Sequence, residues 1–390
     1  MRILHVAVHS GWQSKELGGS GDNAGDTALN PIIQKFFKDK HKKIIFTNRQ
    51  VWKLVTEKEV HYWNSHFDYI LIGGGGLLLN DQPGLNSELS GWTWQISFDN
   101  LCKIKIPFIV YSLGFNKFFK GKDFSQLFWK NLHLIYEKSI FFSLRNTGSI
   151  NKIKEGFKKQ KFEFDEKKIF LQPCLTQIYE KLFNPKKNFS LKKLPKTSYR
   201  ICINLAFDRL SQRIDYTTDK FHEEIYLTID KLLKNYPIIE EIVLIKHKKI
   251  DVLEEIYTKQ LIKKHQKKFD IIDISKFNTE TIYEIYSKFD FAFGMRGHGV
   301  MIPLGAGVLS YSLITHPKLS YLLDDLMIKD KSKVSFNLRE DIDHIILIKN
   351  FINFIKAGDE LIKEFDNGLF YFQDLTFKNM KFILNHLKRN

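Results

Sequence analysis

Four side chains in this chain have the types and settings needed to handle a small anion: Arg145, Arg296, His298 and Lys318. Arg145 lies in Ser143-Leu144-Arg145-Asn146-Thr147-Gly148-Ser149. Arg296 and His298 close the apolar run Phe289–Phe293 and alternate with Gly297 and Gly299. Lys318 ends Ile314-Thr315-His316-Pro317-Lys318. A guanidinium is a planar fork that matches a carboxylate or a phosphate, an ammonium is a point charge, and an imidazole can hold or give a proton near neutrality. Taken one at a time, Arg145 fits a helix-capping turn with an exposed side chain slightly better, and Lys318 fits a solvated surface. His247, in Lys246-His247-Lys248, reads as a surface histidine.

Two glycine-rich stretches accompany them. Gly18-Gly19-Ser20-Gly21-Asp22-Asn23-Ala24-Gly25-Asp26 follows the first apolar run, and Gly73-Gly74-Gly75-Gly76-Leu77-Leu78-Leu79-Asn80 follows a later one. Glycines at such places let backbone amides approach a ligand. The first has neither the spacing of a dinucleotide fingerprint nor its freedom from acids, and the second lacks the Lys and Ser/Thr of a phosphate-binding loop. A turn capped by Asp26 and a crowded strand-to-helix crossing at the tetraglycine stay open as structural readings.

The elements that must position these residues are legible as alternating strand and helix patterns. Strands are expected at 3–8, 43–47, 69–73, 106–113, 140–144 and 169–171. After a basic stretch without periodicity, they are expected again at 200–205, 242–245, 270–274, 289–293 and 308–314. Between the first two, Leu29, Ile32, Ile33, Phe36 and Phe37 share a helical face, with Pro31 leaving the helix start ambiguous. Ile282, Ile285 and Tyr286 do the same within 279–288, and residues 342–390 read as mostly helical with a break near Asp366-Asn367-Gly368. The expected fold class is α/β: two Rossmann-like domains facing across a cleft, with a helical C-terminal tail. The domains are expected at 1–183 and 200–340, joined by a linker over 184–199 and followed by the tail from 341. All five candidate stretches fall just after strands, where open parallel sheets bind ligands.

Composition narrows the class. A chain of 390 residues with 43% hydrophobic content can bury two cores, and no apolar run reaches the roughly 18 residues of a membrane span. The first residues read as a strand instead of a leader, and Cys102, Cys174 and Cys202 lack metal or disulfide spacing, so a cytoplasmic location is expected. Lys+Arg of 60 against Asp+Glu of 44 gives +16, spread over the whole chain. No nucleic-acid module accompanies that charge, so no nucleic-acid partner is expected.

Together the residues 21–29, 72–78, Ser143-Leu144-Arg145, Gly294-Met295-Arg296-Gly297-His298 and the strand leading to Lys318 resemble the polysaccharide pyruvyl transferase family, in its order and over roughly residues 1 to 330. Gly297 stands where that family usually has leucine. The resemblance implies a GT-B-like pair of domains and transfer of pyruvate from phosphoenolpyruvate onto two hydroxyls of a sugar, as a ketal. It implies no cofactor and no metal. On it, Arg145 and Arg296 bind the donor's anions, His298 is the general acid or a phosphate contact, and Lys318, Gly297, Gly74 and Gly75 assist the donor. Asp22, Asn23, Asp26 and Gly76 face the acceptor. That acceptor is a sugar of a cell-surface polysaccharide or its lipid-linked oligosaccharide precursor. Peripheral contact with anionic membrane then follows as an expectation; the Lys/Phe-rich stretch Asn116–Lys122 is a candidate for it, but reads more readily as a solvated loop with buried phenylalanines. Two rivals stand beside this reading: a GT-B glycosyltransferase using a nucleotide-sugar, and a non-catalytic basic binder of nucleic acid or an anionic surface.

Overall fold

The structure is a computed structural model that describes residues 1–9, 13–14, 19–20, 23–81, 84–86, 88–184, 190–195 and 197–387. By contact the chain divides into two compact units. One comprises Met1–Gly21, Leu29–Leu175 and Phe372–Asn390, the other Asp22–Ala28 and Thr176–Tyr371. The acid-containing part of the first glycine turn thus groups with the second unit.

The first unit is built on strands β1 (Arg2–Ala7), a short antiparallel pair β2 (Gln13–Ser14) and β3 (Gly19–Ser20), then β4 (Ile45–Gln50), β5 (Tyr69–Ile72), β6 (Gly75–Leu78), β7 (Phe108–Phe115), β8 (Ser139–Leu144) and β9 (Ile169–Leu171). Its parallel sheet has the order β4-β1-β5-β7-β8-β9, with β6 continuing beside β7. The helices of this part of the chain are α1 (Ala24–Lys40), α2 (Glu57–His66), α3 (Phe98–Lys103), α4 (Gln126–Glu137) and α5 (Thr147–Lys159). β5 and β7 are buried along their whole length, as expected for parallel strands covered on both faces.

The second unit runs from α6 (Tyr179–Phe183) through β10 (Tyr199–Asn204), α7 (Leu210–Arg213), α8 (Thr218–Asn235), β11 (Ile239–Lys246), α9 (Glu255–His265), β12 (Phe269–Asp273), α10 (Thr279–Tyr286), β13 (Phe291–Gly294), α11 (Gly297–Gly305), β14 (Leu309–Ile314), α12 (Pro317–Asp325) and β15 (Ser335–Asn337) to α13 (His344–Lys356) and α14 (Gly358–Leu387). Its sheet order, β12-β11-β10-β13-β14-β15, is the Rossmann order with β10 as first strand. All of its pairings are parallel.

The expected strands are present within two or three residues at either end. Four were not expected: the short pair β2 and β3, β6, which begins inside the tetraglycine, and the short β15. Pro31 sits inside α1, not at its first turn, because the helix begins at Ala24. The expected tail break at Asp366-Asn367-Gly368 does not occur, and α14 runs through it from Gly358. Gly368 is there because the helix crosses Leu326 closely: a Cβ would lie 2.6 Å from the Leu326 carbonyl oxygen. Among the described residues, no helix is long and apolar enough to cross a membrane.

Candidate functional site

In an open parallel sheet, the strand order reverses at one place, and the loops leaving the two strands there diverge to open a crevice. In the second unit that place lies between β10 and β13, where Asn204 pairs with Gly294 at the carboxyl ends. The chain leaving β13 supplies Met295, Arg296, Gly297 and His298. The backbone N–H of Met295 donates to the Asn204 carbonyl at 2.9 Å, and that of Arg296 to Asn204 Oδ1 at 3.3 Å. Asn204 is itself held by a bond from Nδ2 to the Ile245 carbonyl at 2.9 Å. One buried asparagine therefore ties together the ends of β10, β11 and β13.

Arg296 is placed as expected but is not free to fork onto a ligand. It is buried, its Nε donates to Asp251 Oδ2 at 2.7 Å, and its Nη2 donates to Asp251 Oδ1 at 2.5 Å and to Asp208 Oδ1 at 2.6 Å. Burial alone would lower its pKa, but the two carboxylates outweigh it and raise it. Asp208 shows the reverse balance. Burial favours its neutral form, yet Arg296, Arg213, Lys248 and Arg209 hold the carboxyl far below the usual range. The guanidinium thus locks the turn from β13 into α11, with Asp251 on the loop after β11 and Asp208 on the loop after β10. Lys248 is held down by burial and by Arg296, against the pull of Asp208, Asp26 and Asp251. Of these, only Arg296 and Asp26 were candidates from sequence. Asn204, Asp208, Lys248 and Asp251 carry the same signal as the residues that were picked, since each lies at or just after the carboxyl end of β10 or β11.

His298 is the second residue of α11 and is half-buried. The first turn of α1 comes up against it: a Cβ on Gly25 would land on His298 Nδ1. Gly25 is therefore required by close approach, a role no composition argument reveals. Asn23 caps α1, accepting from Gly25 N at 3.2 Å and donating from Nδ2 to Asp26 Oδ2 at 2.8 Å. Asn23 and Asp26 are thus partners in a cap before they are anything else, and Asp22 lies outside the described residues. Lys318 is half-buried at the start of α12, where His316 Nδ1 accepts from its backbone N–H at 3.2 Å. Its stem lies over Gly297, whose added Cβ would be 3.3 Å from Lys318 Cε. A leucine at 297 would push that lysine aside.

His247 is not on the surface. It is fully buried, its Nε2 sits 2.7 Å from the Tyr286 hydroxyl, and its carbonyl accepts from Ala24 N at 3.0 Å. Burial, reinforced by Arg296, holds its pKa at about 3. It is a structural prop for the start of α1.

In the first unit, the order reverses between β1 and β5, and the tetraglycine leaves β5 at that point. Gly73 and Gly75 have φ of 115° and 97°, which favour glycine, and the Gly73–Gly74 peptide is cis. His5, fully buried, bonds the Gly73 carbonyl through Nε2 and receives Gln34 Nε2 on Nδ1 at 2.9 Å. This hydrogen-bonding assigns the neutral tautomer with the proton on Nε2. Burial, then the neighbouring His9, keeps its pKa near 3. Gly74 packs on Leu29 and Ile33, with an added Cβ 2.9 Å from Leu29 Cδ2, and Gly76 packs under the Asn116 side chain. Both glycines answer to packing, so the crowded crossing is realised there. Arg145 follows β8 and is buried, lying across Gly114 so closely that a Cβ there would overlap its Nε. Its neighbour Asn146 caps α5, accepting from Ser149 N at 2.7 Å. The structure therefore gathers Asn23, Gly25, Asp26, Arg296, Gly297, His298 and Lys318 in the second unit, while Arg145, Gly74, Gly75 and Gly76 belong to the first.

Comparison with known proteins adds a family and a fold. The family described as polysaccharide pyruvyl transferase matches residues 23–317. No curated protein matches the chain. Similar solved structures include UDP-GlcNAc 2-epimerase from Neisseria meningitidis bound to UDP-GlcNAc, at 13% identity and a TM-score of 0.54 over 100% of both chains. A Staphylococcus aureus MnaA–UDP structure is 9% identical, with a TM-score of 0.54 over 100% of this chain and 96% of that one. A putative UDP-N-acetylglucosamine 2-epimerase from Listeria monocytogenes is 10% identical, with a TM-score of 0.56 over 100% and 97%. At such identities the likeness establishes the GT-B-like α/β fold and nothing about chemistry.

Proposed function

Because the chain belongs to the polysaccharide pyruvyl transferase family, we propose that it transfers pyruvate from phosphoenolpyruvate onto two hydroxyls of one sugar, as a ketal. The observation that carries this reading is the start of α11. There His298 stands against the first turn of α1 and Lys318 lies over Gly297, in a crevice whose Arg296 is already neutralised by carboxylates. The amides of a helix start and compact cations suit a small, multiply charged donor.

The reaction needs a proton delivered to the methylene carbon of the donor. This creates an oxocarbenium at the adjacent carbon, which one sugar hydroxyl attacks while losing its proton. The carbon–oxygen bond to phosphate then breaks, phosphate leaves with the electron pair, and the second hydroxyl adds and loses its proton to close the ketal. We assign His298 as the acid for the carbon, since its ring is fixed against Gly25 and its backbone lies in the first turn of α11. Lys318 is assigned to the donor's anionic groups and Asp26 to the acceptor hydroxyls. Arg296 acts by position: it fixes the turn that carries Gly297 and His298. In the first unit, Arg145 is assigned as an anion contact and the tetraglycine edge as backbone donors. The acceptor is a sugar of a surface polysaccharide or its lipid-linked precursor, and the enzyme works on the cytoplasmic side in peripheral contact with anionic membrane.

The second reading, a nucleotide-sugar donor, is favoured by one fact: two of the similar structures hold UDP-GlcNAc or UDP. The test is phosphate release from phosphoenolpyruvate in the presence of glycosides with paired free hydroxyls. Acceptor-dependent release that His298→Gln slows by roughly a hundredfold or more is expected for loss of a general acid. Release that is absent for wild type, or equal for the variant, refutes the assignment.

A further inference from the structure

Helix α13 carries more apolar surface than its packing uses. Its inner face is satisfied: Leu347, Phe351 and Phe354 are buried, Phe351 stacks on Phe293 at 3.8 Å, and Phe354 meets Tyr311 at 5.0 Å. On the outer side, Ile345 and Ile346 are 64% and 51% exposed. Ile345, Lys349, Ile352 and Lys356 recur at i, i+4, i+7 and i+11, which places them in one line along the helix. A surface helix in water gains nothing from isoleucines there. Beside this line an open groove of about 410 Å³ is bounded by the same residues and, from the end of α8, by Lys231, Asn235 and Tyr236.

Among the described residues, the groove lining contains three lysines and no carboxylate. The nearest acids, at the start of α13 and on α8, are engaged. Asp341 pairs with Lys220 at 2.6 Å, Asp343 accepts from the backbone of Ile345 and Ile346, and Glu224 pairs with His344 at 2.8 Å. The stretch Asn116–Lys122 makes a poorer surface, because Phe118 is buried and Lys117 pairs with Asp123.

We propose that the outer face of α13 with the end of α8 docks on an anionic lipid bilayer. The isoleucines enter the headgroup boundary and Lys349 and Lys356 meet acidic headgroups, while Lys231, whose Nζ lies 2.6 Å from His344 Nε2, adds its charge to the groove wall. Exposed branched apolar side chains interleaved with lysines on a helix lying flat are what such an interface selects. A polyanion in solution would use the lysines and leave the isoleucines without a role. This contact supplies the peripheral location without depending on the transfer reaction.

The full-length protein would be co-sedimented with vesicles of neutral phosphatidylcholine and with vesicles containing 30% phosphatidylglycerol, at physiological salt. Wild type is expected to bind only the anionic vesicles. A lysine near such a surface is worth about fivefold in partitioning, so Lys349→Gln with Lys356→Gln should weaken binding roughly twentyfold. Ile345→Ser with Ile346→Ser should weaken it by about tenfold or more, with the charges intact. All four positions are outward-facing, so melting temperature and phosphoenolpyruvate-dependent stabilisation should stay at wild-type values. Equal binding to neutral vesicles, or either double variant binding like wild type, overturns the proposal. So does displacement by millimolar glycerol phosphate, or a dimer in solution that Ile345→Ser dissolves.

Discussion

Replacing Asp251 by asparagine removes one negative charge from beneath Arg296 while keeping the shape of the side chain. In the structure, Asp251 is buried and accepts two of the three charge-assisted bonds that Arg296 donates, at 2.7 Å and 2.5 Å, and also receives the Lys248 backbone N–H at 2.9 Å. An asparagine can accept through one oxygen only, and its amide would face a guanidinium N–H with another donor. Breaking one side of a buried pair costs about 3–5 kcal/mol. Asp208 still holds Nη2 at 2.6 Å, so the low end, about 3 kcal/mol, is expected. In a unit of about 200 residues, each kcal/mol moves the melting temperature by about 2–4 °C, so the second unit should melt about 6–12 °C lower. Calorimetry of Asp251→Asn, of Arg296→Met and of the pair completes a cycle. The double variant should recover most of the loss, because it removes the stranded charge. A single variant melting within 2 °C of wild type would refute the locking role given to Arg296.

Three other outcomes can be checked independently. Gly25→Ala places a methyl group on the His298 ring and should cut phosphate release at least tenfold while the melting temperature falls by no more than a few degrees. Gly114→Ala drives Arg145 from its place and, on the anion-binding role proposed for Arg145, should raise the concentration of donor needed for half-maximal rate by roughly tenfold. Burial, first of all, keeps His5 and His247 neutral to about pH 3, against an unperturbed value of 6.5. The unfolded chain therefore binds more protons between those values, and stability is full above pH 6.5 and is lost as the pH falls towards 3. Each contributes up to about 1.4 kcal/mol per pH unit in that window, so thermal melts from pH 7 to pH 5 should drop steeply, and His247→Gln should flatten the slope.

Much of the fold was readable because parallel strands buried on both faces announce themselves as apolar runs. What was less readable depended on three-dimensional proximity. β6 begins in glycines, which have no strand signature, and forms because β7 extends beside it. Gly368 looks like a helix breaker in sequence and is in fact a crossing point in a continuous helix. The candidate site follows the same division. The strand-end rule located Arg145, Arg296, His298 and Lys318, but could not say that Arg296 would be taken by Asp208 and Asp251, which are 88 and 45 residues away in sequence. Nor could it show that Lys246-His247-Lys248 would turn its histidine inward, since a charged tripeptide reads as solvated wherever it lies. Applied evenly to every strand, the rule would also have named Asn204, Asp208 and Asp251.

The central claim is the identity of the donor, and calorimetric binding tests it most directly. The protein would be titrated with phosphoenolpyruvate and, separately, with UDP-GlcNAc, each with thermal melts at rising ligand concentration. The account predicts saturable heat and a melting temperature that climbs with phosphoenolpyruvate, reaching about 2.7 kcal/mol of added stability at a hundred times the dissociation constant. It also predicts no response to UDP-GlcNAc. Saturable binding of UDP-GlcNAc with none of phosphoenolpyruvate would contradict it.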